Sequence, residues 1–165
     1  MPYWQLFYHL VWATKERQPF LTPQVAPIIY GFMRSKAVGL EGTVYAINGI
    51  DEHVHMVVAI PPKVAVSKFV GQVKGVASAR YNKLKRDATQ FAWQAEYGAF
   101  TFDRKRLPYV IDYVERQQEH HRQKTIIPVL ERTRENPIVQ TGETSTDYNA
   151  GILAWHQEML ALESP

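Results

Sequence analysis

Asp51-Glu52-His53-Val54-His55-Met56-Val57-Val58 sets two imidazoles in an apolar run that continues to Ile60 and meets Pro61-Pro62. The run reads as a β-strand ended by prolines, which cannot donate to a sheet ladder. Alternate residues of a strand share a face, so His53 and His55 project together while Val54 and Met56 go to the other side. Two parallel imidazoles make a seat for a metal ion. They equally describe a pair of strand histidines satisfied by backbone or water, and the downstream sequence has to separate the two.

Upstream of that strand, Thr43 to Ile50 is a second extended segment, with Asn48-Gly49 close to a turn. Before it, Thr22-Pro23 starts a helix whose Val25, Ile28, Ile29, Phe32 and Met33 recur at helical spacing until Gly39. The aromatic and β-branched stretch from Tyr3 to Ala13 is a first strand, closed by the polar turn Thr14-Lys15-Glu16-Arg17. Downstream, Val66 to Arg86 is a second amphipathic helix with Phe69, Val70, Val73, Ala77, Tyr81 and Leu84 on one face. Gly75 inside it costs about 1 kcal/mol against alanine, which suggests a close approach there. Phe91 to Phe102 reads as loop and then a fourth strand, and Pro108 opens a third helix that runs to about Gln123.

The order β-α-β-β-α-β-α specifies an α+β fold: a ferredoxin-like antiparallel sheet with two helices on one face, plus an additional C-terminal helix bearing Tyr113. Residues 1–127 form one domain and 128–165 a C-terminal extension, with a linker from Arg134 to Tyr148 and a short helix from Ile152 to Leu162.

The chain has 165 residues, enough for one domain with a real core. It has no cysteine, which excludes disulfides, thiolate metal sites and cysteine nucleophiles. No apolar run is long enough to span a bilayer and the N-terminus lacks a signal pattern, so a cytoplasmic protein is expected. The net charge of +3 is modest, yet Lys83, Lys85 and Arg86, then Arg104, Lys105 and Arg106, form compact clusters that favour a polyanion. Nine tyrosines and seven phenylalanines beside such cations can stack unpaired bases.

In the third helix Tyr113 and Gln117 are four residues apart and share a face. Over a two-histidine metal, the phenol is a nucleophile and the amide oxygen a third ligand, with remaining positions open for phosphate oxygens and water. A divalent cation on a phosphodiester reduces the charge that repels a nucleophile and stabilises the transition state. A phenol, with pKa about 10, is both a feasible nucleophile and a suitable leaving group, so the phosphotyrosine ester keeps the bond energy for rejoining. Tyr109 shares the face and competes as nucleophile. His120 and His121 diverge by about 100° around a helix, so at most one faces the metal. His9 reads as a packed or hydrogen-bonded histidine, Asp51 and Glu52 as groups that orient an imidazole, and Lys15, Arg17, Lys74 and Arg80 as phosphate contacts, joined by Arg104 and Lys105.

Four ordered blocks resemble the one-tyrosine HUH transposases of the insertion-sequence 200/605 type, a group that includes relatives associated with repetitive palindromes. They are Tyr8-His9-Leu10-Val11-Trp12-Ala13-Thr14-Lys15 with Arg17, Asp51 to Val57, Val73-Lys74-Gly75-Val76-Ala77-Ser78, and Tyr113-Val114-Glu115-Arg116-Gln117 with Glu119-His120-His121. Trp93-Gln94-Ala95-Glu96-Tyr97-Gly98 adds a fifth likeness. The resemblance implies a strand transferase that cuts and rejoins single-stranded DNA at mobile-element ends, beside imperfect hairpins, through a 5′-phosphotyrosine. It implies His53, His55 and Gln117 as ligands of Mg or Mn, Tyr113 rather than Tyr109 as nucleophile, and a homodimer in which the tyrosine helix can serve the partner subunit. Glu52 and the segment after His121 depart from the family pattern. The alternatives are a non-catalytic hairpin-binding or single-strand-binding protein of the same fold and a metal-dependent phosphohydrolase. The first is opposed by the missing aromatic RNA-recognition signature in Tyr97 to Phe102, the second by the lack of an acidic ligand cluster.

Overall fold

Apolar alternation in the segments expected as strands is satisfied by one antiparallel sheet. In chain order the elements are β1 (Phe7–Ala13), α1 (Ala26–Gly39), β2 (Thr43–Gly49), β3 (His53–Ala59), α2 (Val66–Leu84), β4 (Gly98–Phe102), α3 (Leu107–Glu115) and α4 (Gln117–Gln123). The strands lie in the order β2-β3-β1-β4, each pair antiparallel, as a split βαβ topology requires. The structure, a computed structural model, describes residues 2–85, 87–134, 157 and 161. The linker expected after Arg134 lies outside the described residues, as does all of the terminal helix except Gln157 and Ala161.

The sheet is covered on both faces. On one, Leu10 and Trp12 of β1 and Val54, Met56 and Val58 of β3 pack with Ile29, Met33 and Ala37 of α1 and Phe69, Val70, Val73 and Ala77 of α2. Each Val, Leu, Ile, Met or Phe among them contributes about 1.5–3 kcal/mol by leaving water. On the other, Ala46 and Val57 pack with Val110, Tyr113 and Val114 of α3 and with Leu130 from a short turn, Pro128–Glu131. β3 is therefore buried along its whole length, and its two histidines point into the interface with α3. Leu130 and Glu131, expected in the extension, pack with this layer.

Three local expectations change. Regular α1 begins at Ala26 rather than at Thr22, because Thr22 spends its carbonyl and hydroxyl on the N–H groups of Val25 and Ala26 in a preceding turn. The third helix breaks at Arg116, where φ is -101° and ψ is 21°. The Asn48 side-chain amide donates to the Glu115 carbonyl at 2.8 Å and that of Gln117 to the Tyr113 carbonyl at 3.4 Å, so side chains take up carbonyls at the break. Among the described residues the close approach expected at Gly75 is absent, since an added Cβ would meet nothing of them within 4 Å. Gly49 is the tight position: a Cβ there would lie 2.1 Å from the His53 carbonyl oxygen, in the turn that feeds the histidines into the sheet.

Candidate active site

β3 presents His53 and His55 from adjacent same-face positions, opposite Ala13 and Val11 of β1. Both imidazoles are buried. His53 Nε2 lies 3.0 Å and His55 Nε2 3.1 Å from the same oxygen, Glu131 Oε2. One ligand atom from each of these three residues falls within 4.8 Å of the others. Sequence reasoning missed Glu131. An acid after the apolar Pro128-Val129-Leu130 signals that the chain returns to the core, but nothing in its spacing says to which strand.

Tyr113 is 1% exposed. Its hydroxyl donates to Glu131 Oε1 at 2.5 Å and accepts from the Ile127 N–H at 3.1 Å. Its ring meets His55 edge-on, with centroids 6.2 Å apart, and stacks on His120 at 4.8 Å. Burial, with the Glu131 charge and hydrogen bond, pushes the phenol above its ordinary pKa. Burial also pushes the Glu131 carboxyl up, but the adjacent His53 and His55 and the Tyr113 hydroxyl outweigh it and hold the group well below the usual carboxylate range. Tyr109, the competing nucleophile, is 38% exposed on the surface.

Gln117 is fully buried, and its Oε1 has no hydrogen-bond partner among the described residues. His9 Nε2 lies 2.7 Å from His55 Nδ1. Burial first, then its neighbour's charge, lowers the His9 pKa, and burial likewise lowers that of His55. Of the double histidine, His121 turns toward the site, 3.5 Å from Glu131 Oε2 and with its ring 4.9 Å from that of His53. Glu52 bridges outward: its Oε1 is 3.5 Å from His53 Nδ1 and 2.7 Å from Arg17 Nη1. Asp51 is exposed and accepts from the Leu21 N–H through its main-chain carbonyl.

These groups fit a divalent cation. The Gln117 Oε1 atom is buried without a hydrogen-bond partner among the described residues, and the Glu131 carboxylate stands within 3.1 Å of the Nε2 atoms of both His53 and His55. A nitrogen and oxygen donor set with one anionic ligand suits Mg, Mn or Zn.

The basic residues divide. Lys15 and Arg17 sit on an exposed loop beside Glu52, with Glu16 and Arg17 in the left-handed region at φ 54° and 52°. Arg80, Arg104 and Lys105 are exposed, Arg80 lying over the Phe32 ring. Lys74 is different: its ammonium is buried and donates to the carbonyls of Gln94, Ala95 and Glu96 at 2.6, 3.2 and 3.2 Å, which fastens the loop before β4 to α2. Burial brings its pKa down to about 8, against the raising effect of Glu96.

The family model for IS200-like transposases matches residues 2–117, more than two thirds of the chain. The ISDra2 transposase TnpA of Deinococcus radiodurans is 29% identical over 123 residues, which cover 70% of this chain and 86% of that protein. The transposase for insertion sequence element IS200 of Salmonella typhimurium is 29% identical over 75 residues, 46% of this chain and 49% of its own length. Among solved structures, one from Deinococcus radiodurans R1, described as a transposase, has a TM-score of 0.55 at 25% identity, covering 71% of this chain and 95% of that one. A REP-associated tyrosine transposase bound to a REP hairpin shares the fold, with a TM-score of 0.56 at 12% identity over 73% of this chain and 74% of its own. With the fold and the matched segment together, the chain belongs to the IS200-like transposase family.

Proposed function

We propose that this transposase cuts and rejoins single-stranded DNA at mobile-element ends through a covalent 5′-phosphotyrosine on Tyr113. The observation that carries the reading is one shared carboxylate: Glu131 touches His53, His55 and the Tyr113 hydroxyl at once. Potential metal ligands and a nucleophile thus border one small volume.

His53 and His55 would hold a Mg or Mn ion, with Glu131 Oε2 as the anionic ligand and Gln117 Oε1 as a further donor. When bound, the ion supplies charge neutralisation at a non-bridging oxygen of the scissile phosphate. Tyr113 Oη attacks phosphorus; the Oη–P bond forms and the bond from phosphorus to the 3′-oxygen breaks. The hydroxyl proton leaves to solvent by way of Glu131 Oε1, its present acceptor, and the departing 3′-oxygen takes up a proton from water. The reverse attack by a 3′-hydroxyl rejoins a strand. Within one chain the phenol and both imidazoles border the same carboxylate, which supports attack in cis.

The Ile127 N–H also occupies Oη, so the backbone at Ile127 has to shift, with Glu131 staying on the two imidazoles, before a phosphodiester reaches Oη. Lys15, Arg17, Arg80, Arg104 and Lys105 would track the strand, while Lys74 serves the loop. By analogy with the hairpin-bound relative, a hairpin end is the DNA form recognised.

The test is incubation with labelled single-stranded hairpin oligonucleotides and Mg²⁺ or Mn²⁺, followed by denaturing electrophoresis. Wild type should give a denaturation-resistant protein–DNA adduct and Tyr113→Phe none. Burial of the nucleophile favours one second reading, a hairpin-binding protein that does not cut. Tight retention of the hairpin with no adduct on any oligonucleotide would establish it instead.

A further inference from the structure

His9 is completely buried, on the strand next to β3, and belongs to no ligand set. Its Nε2 is 2.7 Å from His55 Nδ1, with the two rings within 17° of coplanar, so a single proton lies between the two nitrogens. The other His9 ring nitrogen, Nδ1, is buried with no hydrogen-bond partner among the described residues. Which nitrogen owns the shared proton determines what His55 offers on its far side. A proton on His9 Nε2 makes His55 Nδ1 the acceptor and puts the other proton of His55 on Nε2, facing Glu131 at 3.1 Å. A proton on His55 Nδ1 leaves Nε2 as a lone pair, the form a cation requires.

We propose that His9 is a positioning residue for the metal centre: it accepts the Nδ1 proton of His55 and so holds that ligand with its Nε2 lone pair toward the cation. This rests on the metal reading above. An imidazole suits the position because its Nε2 can either donate to His55 Nδ1 or accept from it. The pocket around His9, closed by Phe100 and Tyr113, excludes water as a substitute partner.

Mn²⁺ affinity, read by electron paramagnetic resonance in the absence of DNA, tests the proposal on wild type, His9→Leu and His9→Gln. His9→Leu should bind Mn²⁺ about 10–100-fold more weakly, and His9→Gln, whose amide oxygen can accept the same proton, should recover most of it. Equal affinity in a folded His9→Leu would overturn the positioning role. Wild type that binds no Mn²⁺ would instead overturn the metal reading. If His9→Leu does not fold, ¹⁵N spectra of wild type with Mg²⁺ decide alone: His9 Nε2 should be unprotonated and coupled through the hydrogen bond to His55 Nδ1–H, and a His9 Nε2 that carries its own proton under saturating Mg²⁺ would refute the inference.

Discussion

Tyr113 Oη and Glu131 Oε1 lie 2.5 Å apart although 18 residues separate them in the chain. That one hydrogen bond ties the last turn of α3 to the Pro128–Glu131 turn. Because the second oxygen of Glu131 faces both strand histidines, it also ties the phenol to β3.

Replacing Tyr113 by phenylalanine removes the hydroxyl proposed as nucleophile and strands two partners, the Ile127 N–H and Glu131 Oε1. The adduct should disappear while hairpin retention persists, and unfolding free energy should fall by about 1–3 kcal/mol. Gel-resolved adduct together with urea denaturation checks both. Adduct at the wild-type level would return the nucleophile to Tyr109.

Glu131→Ala takes away the proposed anionic ligand and the acceptor of the phenol together. We expect Mn²⁺ affinity to drop at least about tenfold, the lower end of what losing a metal-site partner costs. Isothermal titration with Mn²⁺ measures it, and an unchanged dissociation constant would remove Glu131 from the ligand set.

Gln117 keeps an amide oxygen buried without a partner, which costs stability unless something binds it. Gln117→Leu should therefore hold or raise the melting temperature while weakening Mn²⁺ binding. A variant that loses stability and keeps its metal would show the amide to be structural.

Gly98 lets two segments approach: a Cβ there would lie 1.9 Å from the Arg132 carbonyl oxygen and 2.8 Å from Val11 Cγ1. Gly98→Ala should push the Pro128–Glu131 turn away from the sheet and cost about 1–3 kcal/mol, as overpacking does. Hydrogen exchange should speed up between residues 127 and 133 and stay slow in β3; unaltered exchange at Ile127 would contradict this.

Lys74 is held down to about 8 from an ordinary 10.5. Between those values the unfolded chain binds the proton and the folded one does not, so this group adds stability as pH rises from 8 toward 10.5. The difference in unfolding free energy between wild type and Lys74→Met should shift in favour of wild type between pH 7.5 and 10, roughly in the window those two pKa values set. A pH-independent difference would mean that Lys74 titrates normally.

Much of the arrangement was legible beforehand. The element order, the facing of His53 and His55 and the pairing of strands follow from periodicity, because a strand alternates its side chains whatever surrounds it. Tyr113 was separable from Tyr109 only through the resemblance and Gln117; burial now separates them physically. The break at Arg116 escaped a local reading because its cause, the Asn48 amide on the Glu115 carbonyl, comes from a strand far earlier in the chain. Lys74 read as a phosphate contact since charge pattern says nothing about which carbonyls a loop will offer.

The amino-acid order by itself set the two-histidine strand, the sheet around it and the helix that carries the phenol, since these depend on local spacing and on which residues leave water. Only tertiary structure brought Glu131 and His9 to that strand. Both reach it through contacts made across the fold, and no periodicity encodes where a distant segment will dock.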